Sequence, residues 1–267
     1  MPTQTISRCG GNVLSYSQTV FAVGTPGSLV AYWRMGETVG DFIDTSGYPP
    51  TPYNLIITGT GSNTRGVVGC LAPSQDDGAW QINVKDNPSP GYARASGDPL
   101  NPNSFPSFSA TSWTFVGWVR PTATIAGDPS WRGSIWSMNG IVAGAPSYEE
   151  GAGIELNYPG GATPAQARVT RANDAPHGGL VVVASPGLAA GSNYMVGGTY
   201  DGTTLKLYIN GALNGSIADA PRSIALGGLL SVGYGPFGCL YGVVDEVAVW
   251  SSVLSAIDFA NLYAAGA

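Results

Sequence analysis

The sequence predicts an all-β protein, a two-sheet antiparallel sandwich, on three observations. In residues 193–216, NYMVGGTYDGTTLKLYINGALNGS, Leu205, Leu207 and Ile209 alternate with Lys206 and Tyr208, the period of a strand with one buried face. Asp201-Gly202 precedes that strand and Asn210-Gly211 follows it; both dipeptides tolerate the positive φ of two-residue hairpin turns, so a three-strand meander results. Its apolar face needs a second sheet to cover it. The third observation is composition: 39 glycines, 20 prolines and only 10 % charged residues suit many short strands and turns rather than helices.

A chain of 267 residues is long enough for one large sandwich, and 43 % hydrophobic with 10 % aromatic residues argues against disorder. A net charge of −6 with 11 basic residues, nowhere clustered, argues against nucleic-acid binding. The opening MPTQTISRCGG has no apolar stretch of a secretory leader, and no apolar run reaches membrane-spanning length. Cys9, Cys70 and Cys239, with one histidine, are too scattered for a structural zinc site. Cys70 and Cys239 read as buried free thiols, with a Cys70–Cys239 disulfide as the alternative.

Taken in order, residues 1–27 form an N-terminal arm, in which SYSQTVFAV pairs as an edge strand or packs on a neighbouring subunit. Residues 28–267 form the sandwich domain. It opens with a strand carrying Leu29, Ala31 and Trp33 on one face and Val30, Tyr32 and Arg34 on the other. Asp44-Thr45-Ser46-Gly47 is a turn whose Asp and Ser side chains bond local backbone. Short strands are expected at 54–58, 66–71 and near Ala79-Trp80-Gln81-Ile82, and residues 86–106 as a proline-rich loop. WTFVGWVR, residues 113–120, is apolar on both faces and belongs in a central position. Further strands follow at 133–138, 153–158, 167–170, 180–184, in the meander, and at 229–233 and 240–250. Their short spacing fits a jelly-roll sandwich. Only the tail is helical: Ser255 and Asp258 make a capping box ahead of Phe259, Leu262 and Tyr263.

Four segments together resemble the laminin-G-like, concanavalin A-like jelly-roll family. They are Tyr32-Trp33-Arg34-Met35-Gly36-Glu37 with Asp44-Thr45-Ser46-Gly47, then residues 113–119, the Tyr-Asp-Gly…Tyr-Ile-Asn-Gly run of 200–211, and Gly242-Val243-Val244-Asp245-Glu246-Val247. The resemblance implies a structural calcium ion held by Asp44, Asp245 and loop carbonyls near Gly47. Ser15-Tyr16 through Val20, Val23, Pro26 and residues 32–37 are also similar to the openings of virion proteins of tailed bacteriophages, notably minor tail proteins. That resemblance implies a module displayed on a virion surface and assembled in the host cytoplasm. Its arm would hold other virion proteins, in many copies or as a homo-oligomer.

Catalysis is not expected. Adjacent Asp245 and Glu246 on a regular strand point to opposite faces. The E-x-D-x-E pattern of related jelly-roll glucanases is absent, and Glu149-Glu150 with Glu155 has the wrong spacing. His177, the sole histidine, lies in a turn-rich stretch with no G-x-S-x-G nucleophile turn in the chain. Sugar stacking is the better use of seven tryptophans: Trp33, Trp113, Trp118 and Trp250 fall in strand patterns and read as core. Trp131, Tyr92 and Tyr148 fall in expected loops and are the candidates to contact a host-surface glycan. A secreted or cell-surface carbohydrate-binding or adhesion domain is the alternative to the virion component.

Overall fold

The strand Trp113–Pro121 has apolar residues on both sides, and the fold covers both. Trp113, Phe115 and Val119 enter the core between two sheets, while Val116 and Trp118 enter a second core beneath two helices. The computed structural model describes residues 14–47, 52–58, 63–82, 92–95, 105–108, 112–122, 132–141, 149–158, 165–172, 180–220, 225–235 and 238–267.

Among them, the first sheet runs Ala212–Ala218, Thr204–Ile209, Tyr194–Tyr200, Trp113–Pro121, Gly242–Trp250, Ala79–Ile82 and Asn63–Val67, with Leu29–Trp33 also paired to Gly242–Trp250. The second runs Leu180–Leu188, Ala165–Ala172, Glu149–Asn157, Arg132–Ile141, Ala225–Val232, Tyr92–Ala95 and Leu55–Thr58. Phe105–Phe108 joins it beside Ala225–Val232. The main ladders are antiparallel, and the expected all-β jelly-roll sandwich is the architecture observed.

The meander forms, with the Asn210-Gly211 turn as expected and the Asp201 connection longer than expected. Asn210 and Gly211 take φ of 50° and 79°, closing a two-residue turn between Ile209 and Ala212. The Asp201 connection is longer, spanning 201–203, because the Asp201 carboxylate gathers the Thr203 and Thr204 amides into its own turn. Tyr208, on the face opposite Leu207, is buried because its ring stacks on Phe259 at 3.8 Å.

Phe259 belongs to α2, Ala256–Gly266, and the capping box read from the sequence is present: the Asp258 amide donates to Ser255 Oγ and the Ser255 amide to Asp258 Oδ2. Three expectations give way. The arm segment does not pair as an edge strand; Tyr16–Ala22 is a helix, α1, capped by Ser15 and Gln18. Tyr16, Val20 and Val23 are buried with α2 and Trp118, so this part of the arm packs on its own domain. The strand placed at 66–71 instead occupies Asn63–Val67, because Gly66 at φ 63° bulges it and Asp76 captures the Gly69 amide. Two strands, Tyr92–Ala95 and Phe105–Phe108, fall in the stretch read as loop.

Candidate functional site

The site begins with an irregularity in the strand Gly242–Trp250. Between Asp245 and Ala248 this strand takes three steps while its neighbour takes two, from Trp118 to Val116. The extra residue is a β-bulge, and Glu246 sits in it at φ 51°. Val244 and Val247 both point into the core between the sheets, so the two residues separating them share the other side. The expectation that Asp245 and Glu246 face apart is therefore corrected. It assumed an unbroken pleat, and the bulge aims both carboxylates one way.

They meet Asp77, which precedes the strand Ala79–Ile82. One carboxylate oxygen from each of Asp77, Asp245 and Glu246 lies within 4.8 Å of the other two. Asp245 and Glu246 are 1 % and 0 % exposed, whereas Asp77 reaches solvent. The Tyr32 hydroxyl donates to Glu246 Oε2. Arg34 brings Nη2 to 2.9 Å from Asp77 Oδ2 and Nε to 3.6 Å from Glu246 Oε1. Asp245 Oδ2 accepts from the Cys70 amide at 2.8 Å. Beside it, Asp76 accepts from the amides of Gly69 and Gly78, fixing the segment 68–78 against the strand. Gly69 has no room for a Cβ between the Asp76 and Asp245 carboxylates.

Burial dominates the electrostatics. It pushes the Asp245 carboxyl up to about 8 against the opposing Cys70 amide, with the Asp77 and Asp76 charges adding to the rise. Burial, then the Asp245 charge, drives Glu246 well above the carboxylate range, opposed by Tyr32 and Arg34. Burial likewise raises Asp77 and the free, buried Cys70 thiol.

Glycoside cleavage sets its own spacing between two carboxyl groups. A retaining pair stands about 5–5.5 Å apart across the sugar and an inverting pair about 6.5–9.5 Å. Here one oxygen from each acid lies within 4.8 Å of the others, and Asp245 and Glu246 are buried. Oxygen donors at this separation suit a hard cation.

The ligand set of Asp44, Gly47 and Asp245 is not the one assembled. Asp44 Oδ1 accepts from the amides of Tyr32 and Ser46, and Oδ2 from Tyr53, at 2.9–3.0 Å. Three amides already satisfy that carboxylate, which does not fit a metal ligand, and Gly47 is an exposed turn residue at φ 71°. Trp33, Trp113, Trp118 and Trp250 are core, as expected. Trp131, Tyr148 and His177 lie outside the described residues, as does the side chain of Tyr92, whose backbone is in a strand. Sequence reasoning missed Asp77 and the roles of Tyr32, Arg34 and Glu246. Asp76-Asp77-Gly78 ahead of a strand was the available signal for the first.

Residues 94–258 match the laminin G family of the concanavalin A-like lectin/glucanases superfamily, and the chain belongs to it. No curated protein sequence matches the chain. Among solved structures it is similar to the botulinum neurotoxin type G receptor binding domain, at 13 % identity and TM-score 0.58, over 89 % of this chain and 51 % of that one. Botulinum neurotoxin type C, which interacts with two ganglioside molecules, matches at 14 % and 0.57, over 89 % and 51 %. The Trypanosoma rangeli sialidase in complex with the inhibitor DANA matches at 15 % and 0.57, over 90 % and 33 %. The chain thus spans about half the length of the toxin structures and a third of the sialidase. At these identities the likeness is one of fold.

Proposed function

We propose that this chain is a glycan-binding module that does not cleave its ligand, carried in many copies on the surface of a tailed-bacteriophage particle as a minor tail or capsid decoration protein. The observation that carries the non-catalytic part is the burial of two of the three converging acids: Asp245 and Glu246 lie in the interior of the fold, and Asp77 alone of the three reaches solvent. Membership of a lectin/glucanase superfamily supports the sugar, as do neighbours that include a ganglioside-interacting toxin and a sialidase. Trp131, Tyr92 and Tyr148 are the residues proposed to stack on it.

The virion setting is supported by the likeness of residues 15–37 to tail-protein openings. With α1 packed on its own domain, the contact with other virion proteins falls to residues ahead of it. The same fold serves receptor binding in the toxins, which favours a second reading as a cell-surface carbohydrate-binding domain. Immunogold electron microscopy separates the two. Label on purified particles supports the virion module, and label confined to cell envelopes overturns it.

A further inference from the structure

Phe21 is the only aromatic residue more than half exposed among the described side chains, at 52 %. Helix α1 turns Tyr16 and Val20 inward and leaves this ring outside. The ring is held in place. Tyr32 meets it edge-on, with centroids 5.9 Å apart, and Tyr32 is itself buried and bonded to Glu246. Beyond Glu246 stands Arg34, 3.6 Å from that carboxylate and 2.9 Å from Asp77. Phe21, Tyr32, Glu246, Arg34 and Asp77 thus make one unbroken run of contacts. It surfaces at both ends, at Phe21 and at the Arg34 and Asp77 side chains, which are 37 % and 36 % exposed. A guanidinium has five N–H donors, and Asp77 is the one partner within hydrogen-bond range of Arg34 among the described residues.

We propose that this run is a subsite for a neutral hexose oligosaccharide, with Phe21 stacking on one ring and Arg34 and Asp77 binding hydroxyls. The proposal rests on the glycan reading and adds a contact to the residues named there. A pyranose has an apolar C–H face, and Phe21 offers it a flat apolar surface fixed beforehand, so little ordering is lost on binding. A sugar hydroxyl donates and accepts at once. Arg34 and Asp77 set donors and an acceptor side by side, the complement of neighbouring hydroxyls. The two side chains compensate each other in charge, which suits a neutral sugar better than an acidic or an amino one. Tyr32 is the spacer: bonded to Glu246 and packed on Phe21, it keeps the two ends of the subsite in register.

The test titrates the whole chain by calorimetry with lactose, maltotetraose, cellotetraose and mannotetraose, and with sialyllactose as the charged comparison. At least one neutral sugar should bind. Phe21→Ala and Arg34→Gln should each weaken that binding at least about tenfold, while Phe21→Trp keeps it. Ile257→Ala, which removes another exposed apolar side chain, should leave it unchanged. Phe21 lies outside the core, so Phe21→Ala should melt with wild type and its lost affinity is not lost fold. Binding that either Phe21→Ala or Arg34→Gln leaves intact overturns the subsite while the glycan reading stands. Sialyllactose bound more tightly than lactose overturns the neutral-sugar assignment. Blank titrations with every sugar overturn the subsite, and the glycan reading falls with it if an array of bacterial-surface glycans is blank as well.

Discussion

The hydroxyl of Tyr32 donates to the buried carboxylate of Glu246, joining residues 214 positions apart in the chain. The two residues lie on neighbouring strands, where Tyr32 stands opposite Ala248. The bulge turns Glu246 back toward the phenol. Tyr32→Phe keeps the ring and removes the donor, leaving both Glu246 oxygens without a hydrogen bond. Urea unfolding should show a loss of about 1–3 kcal/mol. A change near zero would mean that Glu246 is satisfied some other way.

A second long-range pair ties the sheets together. Arg171 of Ala165–Ala172 places Nη1 2.7 Å from Asp219 Oδ2, which follows the strand Ala212–Ala218 of the other sheet. Both residues are buried, and the guanidinium lies 4.1 Å from the Tyr200 ring centroid. Arg171→Met should cost about 3–5 kcal/mol, because the buried Asp219 loses the guanidinium paired with it. Combining it with Asp219→Leu should cost less than the sum of the single changes, as a double-mutant cycle would record.

Helix α1 gives a direct measure of how the N-terminal segment is used. Tyr16 meets Trp118 edge-on at 6.0 Å and is 1 % exposed. Tyr16→Ala should therefore lower stability by about 3–5 kcal/mol in the isolated chain. A segment held out for neighbouring subunits would show almost no effect in that experiment.

The Asp201 turn supplies a pH dependence. Burial works slightly against the Asp201 carboxylate, but the Thr203 hydroxyl and amide, Lys206 and the Thr204 amide outweigh it and hold its pKa below the ordinary value. A pKa lower in the folded chain contributes stability above the unfolded value and loses it as pH falls through the folded one. Wild type should exceed Asp201→Ala by about 1 kcal/mol at neutral pH. The gap should narrow between about pH 5 and pH 2, as followed by urea melts.

How much was legible beforehand depended on how regular the chain is locally. Trp113–Pro121 is apolar on both faces and Leu205 and Leu207 alternate with Lys206, so these positions could be read directly, whereas the burial of Tyr208 could not. Ser255 and Asp258 announced α2 through their spacing. Ser15 and Gln18 make the same kind of box, but SYSQTVFAV is too short and too rich in β-branched and aromatic residues for the helix to stand out. The acid group was hidden for a different reason. Asp245 and Glu246 converge only because of one extra residue, a feature of strand register that propensity does not encode. Asp77 reaches them through tertiary pairing of Val244 with Trp80, far apart in sequence.

The account turns on binding without cleavage. Purified chain should be applied to an array of bacterial-surface and sialylated glycans. The best ligand should then be incubated with the chain at high concentration and analysed by mass spectrometry. Saturable binding, reduced by Trp131→Ala, with the glycan recovered intact is the expected result. Release of a shortened sugar, or no glycan retained at all, would contradict the account.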